Sequence, residues 1–185
     1  MITDYKEIEL LQVAEDSVGG DGGEADVRSL VEETQEFLQS RHLSSLSSSS
    51  SLVGSSSSFL PPHAIDLKAN GGLHAHVDSV RFSGDMVAGI SLLSPSIMRL
   101  KPANEHGEED VDASQWVDLY LLPLSLYVLT GTSRYQYTHE LLPSGATFDL
   151  NNNGNDDDCD EQERGTIVVE RGQRLSVIFR DAKPL

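Results

Sequence analysis

Cysteine is almost absent: Cys159 is the one cysteine in 185 residues. No intramolecular disulfide can form, so the chain suits a reducing compartment or is indifferent to redox state. Set among carboxylates, that thiol is expected to have a raised pKa and little nucleophilic character. Basic residues are scarce as well, 13 Lys and Arg against 30 Asp and Glu, for a net charge of -17. Such a surface does not attract a phosphate backbone, which disfavours tightly held, non-specific nucleic acid while leaving room for a local basic groove. No apolar run approaches the ~20 residues that span a bilayer. The N-terminus, acidic from Asp4 onward, has neither a signal-peptide h-region nor an Arg-rich transit character. The expectation is a cytosolic chain as written, or an address upstream of Met1.

What is there suffices for one domain with a sizeable core. Residues 2–15 carry Ile2, Tyr5, Ile8 and Leu11 at near-helical spacing. A second amphipathic helix is expected over Asp26–Arg41, burying Val27, Leu30, Val31, Phe37 and Leu38. Residues 1–43 thus read as a helical segment, and Ser44–Ser58 as a flexible low-complexity insertion. From Phe59 the texture becomes stranded. Strands are expected at Ala64–Lys68, Leu73–Val80, Val87–Leu93, Ile97–Leu100, Trp116–Leu121, Leu126–Thr130, Tyr137–Leu142, Thr166–Glu170 and Arg174–Phe179. Turns are expected at Asn70-Gly71-Gly72, Pro95, Pro123, Gly131 and Arg171-Gly172. So many short strands indicate a mainly β fold over 59–185, a sandwich or barrel of jelly-roll type, with residues 149–163 as an acidic loop insertion.

The stretch LHAHVDSVRFSG, Leu73 to Gly84, holds the most specific chemistry. Alternate strand residues share a face, so His76 and Asp78 would converge on one point. His139, in RYQYTHEL, supplies a second imidazole from a later strand. Two His and one carboxylate on one face of a metal, with open positions left, is the ligand set of non-haem Fe(II) oxygenases. In RLSVIFR, even spacing puts Arg174, Ser176, Ile178 and Arg180 on one face. Two arginines on the inner face of an apolar strand need an anion, and a dicarboxylate would serve through bidentate pairing.

His76-x-Asp78, the stretch GTSRYQYTHEL and the terminal RLSVIFR together resemble the AlkB family of Fe(II)- and 2-oxoglutarate-dependent dioxygenases. HVDSVRFSGDMVAGISLLSPSIMRL and LPLSLYVLTGTSRYQYTHEL are most similar to its mitochondrial branch, the seventh homologue. The resemblance runs from about Pro61 to Arg180 and implies a double-stranded β-helix. It implies Fe(II) held by His76, Asp78 and His139, and 2-oxoglutarate held by Arg174 at its distal carboxylate, Arg180 near the metal, and Tyr127. The implied reaction consumes O2 and 2-oxoglutarate and hydroxylates a C–H bond of a further substrate.

One departure bears on that substrate. DNA-repairing members carry Asn and Tyr on the strand before H-x-D, whereas Ile65 and Leu67 stand here. A Ser tract replaces the base-holding lid, so flipping repair of duplex DNA is disfavoured. The branch is associated with fatty-acid metabolism, programmed necrosis and processing of mitochondrial tRNA. A protein, lipid-linked or small-molecule substrate in mitochondria is the leading expectation. A catalytically silent metal- and 2-oxoglutarate-binding regulator, and an RNA demethylase, are the alternatives.

Plainer roles compete for several residues. His74 shares a face with His76, as in a cupin H-x-H site, but Val80 and Arg81 stand where a cupin Glu would follow. A supporting or surface place suits His74 better. Arg134 is expected to form a structural ion pair or to line the substrate mouth. His42, His63 and His106 are expected in solvent-exposed loops. Asp156–Asp160 lacks the ordered ligands and central Gly of an EF-hand, which favours a solvated insertion over a Ca2+ loop.

Overall fold

One long bent strand organises the chain. The computed structural model describes residues 2–10, 23–43, 59–81, 83–104, 106–110, 114–150 and 165–183. Strand β1 (Ile2–Glu9) is followed by helix α1 (Gly23–Leu38) with a wider π-type turn at Gln39–Leu43, and then by β2 (His63–His76). The remainder runs β3 (Met86–Leu92), β4 (Ser96–Pro102), β5 (Val117–Leu121), β6 (Ser125–Thr130), α2 (Gly131–Tyr135), β7 (Tyr137–Leu141), β8 (Ala146–Asp149), β9 (Thr166–Val169) and β10 (Arg174–Arg180).

The sheet order is β5-β4-β7-β2-β10-β3-β6, antiparallel throughout, with β1 added beside β2. β10 pairs with the first part of β2, from His63 to Leu67, and β7 with its end, at Leu73 and His76. β2 therefore belongs to two half-sheets, one with β10, β3 and β6, the other with β7, β4 and β5. The chain crosses repeatedly between the halves, from β3 to β4, β5 to β6 and β6 to β7, as in a double-stranded β-helix. The inner core lies between them: Leu67 and Leu129 from one half meet Met98, Leu100, Leu121 and Leu141 from the other.

Two smaller apolar clusters cover outer faces. Val31 and Leu38 of α1 seal Met86, Ala88, Ile90, Val177 and Phe179. Phe148 and Val169, from the β8–β9 hairpin, cover Ile97. Among the described residues no helix is long and apolar enough to cross a membrane.

Several expectations are corrected. Residues 2–9 form a strand, not a helix: alone they have no buried face, and pairing with β2 supplies their hydrogen bonds. In α1 only Val31 and Leu38 of the expected stripe are buried, because the helix meets the sheet along a narrow line. Val27, Leu30 and Phe37 are exposed. Asn70-Gly71-Gly72 is not a turn between two strands but lies within β2. There β1 crosses so closely that a Cβ on Gly71 would stand 2.8 Å from the Thr3 carbonyl oxygen and 2.9 Å from that of Asp4. Arg171 holds this bend, its guanidinium donating to the carbonyls of Lys68 and Gly71. The Ser44–Ser58 tract, Cys159 and Asp156–Asp160 lie outside the described residues.

Candidate metal and anion site

β2 ends at His76, and the register sets His76 directly opposite His139 of β7. Cross-strand partners point the same way, so the two imidazoles lie with ring centroids 4.3 Å apart, tilted by 48°. Asp78, just past the strand, brings Oδ1 to 3.7 Å from His76 Nε2 and Oδ2 to 3.8 Å from His139 Nε2. One ligand atom from each of the three lies within 4.8 Å of the others, an arrangement that could hold a metal ion.

The protonation states suit that role. His76 Nδ1 donates to the carbonyl of His74 at 2.8 Å, which orients the ring with Nε2 toward Asp78. Burial, helped by neighbouring His76, lowers the His139 pKa to about 4, so the ring is neutral at physiological pH. Burial alone would raise the Asp78 carboxyl, but His76, His139 and Arg180 beside it hold it well below the usual range. A neutral imidazole and an ionised carboxylate are the forms a metal binds.

On β10, Val177 and Phe179 pack outward under α1, while Arg174, Ser176, Ile178 and Arg180 face the interior. Arg174 is 3% exposed. Its Nε donates to Ser91 Oγ at 3.2 Å, and its Nη2 has no acceptor among the described residues. Burial depresses its pKa, with Tyr127 alongside opposing that shift. The Tyr127 hydroxyl is pushed up by the same burial. Tyr127 lies over Gly89, its partner on β3, where an added Cβ would fall inside the phenol. A buried guanidinium with an unsatisfied donor is a site prepared for an anion.

All six residues expected to hold metal and dicarboxylate, His76, Asp78, His139, Tyr127, Arg174 and Arg180, line one cavity. Ile65 and Leu67 form part of its apolar wall. Outside it opens a groove of ≈ 810 Å³ that shares Asp78 and is bordered by Val77, Tyr135, Tyr137 and His106.

The remaining expectations are met unevenly. The His74 side chain stands outside the cluster, and only its carbonyl serves His76. His63 opens β2 half-buried, with Nδ1 3.1 Å from Glu7 Oε1, because β1 lies against it. His106 is exposed as expected, whereas His42 is half-buried. Among the described residues Arg134 has no ion-pair partner, and it does not line the groove; it is 1% exposed, with bonds to Asp78 O and Ser83 Oγ. Ser91 is a further site residue, 0% exposed, that the sequence does not single out; the β3–β10 register places it opposite Ser176.

Comparison with known proteins gives the chain relatives. It is 41% identical over 118 residues to the alpha-ketoglutarate-dependent dioxygenase alkB homolog 7, mitochondrial, of Bos taurus, covering 64% of this chain and 43% of that protein. The protein of the same name from Mus musculus is 40% identical over 120 residues, 65% of this chain and 44% of its own length. The chain thus spans less than half the length of these relatives. Among solved structures it matches OsALKBH1 with a TM-score of 0.38 and 16% identity over 82% of this chain and 61% of that one. It matches a Pseudomonas putida prolyl-4-hydroxylase with a TM-score of 0.44 and 13% identity over 98% of this chain and 72% of that one. No family model matches.

Proposed function

We propose, from this likeness to AlkB homologues, that the chain carries the site of an Fe(II)- and 2-oxoglutarate-dependent dioxygenase of the AlkB type. The observation that carries the reading is one cavity with a His-Asp-His ligand set and, on the facing strand, a buried arginine with an unsatisfied donor. Iron with 2-oxoglutarate and O2, when bound, supplies decarboxylation of the keto acid to succinate and CO2 coupled to hydroxylation of a C–H bond.

The chain's own groups divide the remaining work. His76 and His139 offer Nε2, and Asp78 its carboxylate, leaving the rest of the coordination sphere open. Arg174 takes the distal carboxylate through charge-assisted bonds and Tyr127 adds a hydroxyl. Arg180 faces the metal-proximal carboxylate. Ile65 and Leu67 keep the wall apolar, so the co-substrate is gripped by β10 and β6 and not by polar groups on β2. The outer groove admits the primary substrate, for which we propose a protein, lipid-linked or small molecule and not duplex DNA. The names of the relatives support a mitochondrial setting, and we propose fatty-acid metabolism or programmed necrotic cell death as the process served.

The test is an anaerobic titration of metal-free protein with Fe(II) and then 2-oxoglutarate, followed through the visible metal-to-ligand charge-transfer band. Oxygen is then admitted and succinate measured. A band followed by succinate is the expected result. Absence of a band would overturn the site, and a band without succinate under any substrate trial would leave a binding protein and not an enzyme.

A further inference from the structure

The loop that carries Asp78 is held from outside itself. β2 stops at His76, so Asp78 has no ladder partner. Three ties within the loop's described residues are long: Ser83 N to Ser79 O is 3.4 Å, Ser83 Oγ to Ser79 O 3.2 Å, and Arg81 N to Ser79 Oγ 3.3 Å. The short bonds come from Arg134, whose Nη1 donates to the Asp78 carbonyl at 2.9 Å and whose Nη2 donates to Ser83 Oγ at 2.7 Å. Beyond Ser83, Asp181 accepts the N–H groups of Asp85 and Met86 at 3.0 and 2.9 Å, fixing the far end.

Arg134 sits on a firm mount. It belongs to α2, where Ser133 Oγ donates to Thr130 O at 2.9 Å and accepts from Thr130 N at 3.2 Å, and Gln136 N donates to Thr132 O at 2.8 Å. Directly after α2 comes β7, which carries His139. The guanidinium, 5.2 Å from the Tyr135 ring centroid, therefore joins the segment bearing His139 to the segment bearing Asp78. Both of these acceptors are neutral, and its Nε has no partner among the described residues. A cation buried that way is unfavourable for folding alone.

We propose that Arg134 is a positioning residue: by clamping the Asp78–Ser83 loop to the His139 segment it sets how tightly the His76–Asp78–His139 centre holds a metal. This rests on the metal site proposed above. Partners that orient metal ligands typically change metal affinity about 10–100-fold when removed.

The experiment titrates the metal-free full chain with Co(II), read by its visible d–d absorption, and records urea midpoints of the metal-free proteins in parallel. Wild type, Arg134→Met, Arg134→Lys, Ser83→Ala and His76→Ala are compared. Arg134→Met should raise the Co(II) Kd about 10–100-fold and shift the d–d bands. Arg134→Lys, which keeps the charge but presents a single ammonium in place of the guanidinium fork, should recover part of the loss. Ser83→Ala should weaken Co(II) several-fold and decides the matter if Arg134→Met does not fold. Folded Arg134→Met, or Ser83→Ala in its place, binding Co(II) with wild-type affinity and bands overturns the proposal and leaves the metal site standing. Wild type showing no Co(II) binding that His76→Ala abolishes overturns the metal site and this inference together.

Discussion

Replacing Arg174 by Met separates folding from binding at one position. Among the described residues the guanidinium donates to Ser91 Oγ at 3.2 Å, lies beside the Tyr127 hydroxyl, and keeps an Nη2 without an acceptor. A buried donor left unpaired costs about 1–3 kcal/mol, while a bond from a charged donor contributes about 1.5–3 kcal/mol. Methionine removes both and fills similar space with a flexible apolar chain, at the expense of an unpaired Ser91 hydroxyl. The terms nearly cancel, so stability should stay within about 1 kcal/mol of wild type. Binding does not cancel. Losing a bidentate carboxylate contact worth about 3 kcal/mol weakens 2-oxoglutarate by roughly two decades. Urea denaturation with and without 2-oxoglutarate, Mn(II) occupying the metal site, reads both quantities. At 2-oxoglutarate 100 times the wild-type Kd, wild type should gain about 2.7 kcal/mol and the variant about 0.4 kcal/mol. A ligand-free variant more than about 2 kcal/mol less stable would make Arg174 a structural residue. A ligand-induced gain equal to wild type would refute the anion assignment.

Arg171, also buried, should behave oppositely: Arg171→Met strands the carbonyls of Lys68 and Gly71 and should lower the urea-derived stability by about 1–3 kcal/mol, ligand present or not. Gly89→Ala drives a methyl into the Tyr127 phenol, so about 1–3 kcal/mol of stability should be lost and 2-oxoglutarate weakened. Adding Tyr127→Leu should restore the stability but not the binding, as denaturation and titration together would report. The metal-free protein should also lose stability on acidification. His139 has a folded pKa lowered to about 4 from 6.5, so its contribution is intact above about 6.5 and lost as pH falls through about 4. Urea midpoints measured across that window should fall less steeply in His139→Gln; parallel curves would contradict the burial of this imidazole.

Where a segment's own pattern matches its final surroundings, the sequence is readable. RLSVIFR alternates because its two faces meet different clusters, and that alternation already separates Arg174 and Arg180 from Val177 and Phe179. His76 and His139 are readable for a similar reason, since they lie on strands that pair with one another, and Asp78 follows two residues after His76. ITDYKEIE is opaque by contrast: its apolar spacing imitates a helix, and only the neighbouring β2 makes it a strand. The Asn70-Gly71-Gly72 stretch reads as a turn because glycines usually mark one, whereas here they make room for β1. Arg134 gives no local sign of its place. A lone arginine beside a tyrosine reads as an ion-pair partner or a residue of the substrate mouth, whereas its burial arises from a loop more than fifty positions earlier in the chain. The β8 strand, four residues long, is too short and too exposed to stand out.

The division of β2 between two half-sheets has a mechanical corollary. His139 sits on the β7 side of the clamshell and Arg174 on the β10 side, joined along the chain by the bend and across the interior by apolar contact. A dicarboxylate reaching from the metal to Arg174 would be a removable staple between valves. Its binding energy would then oppose every partial opening that parts them, as well as occupying a pocket. Backbone amides of β7 and β10 are therefore expected to exchange with deuterium more slowly in step when the staple is in, including those far from any ligand atom. The barrel would borrow part of its rigidity from its own co-substrate.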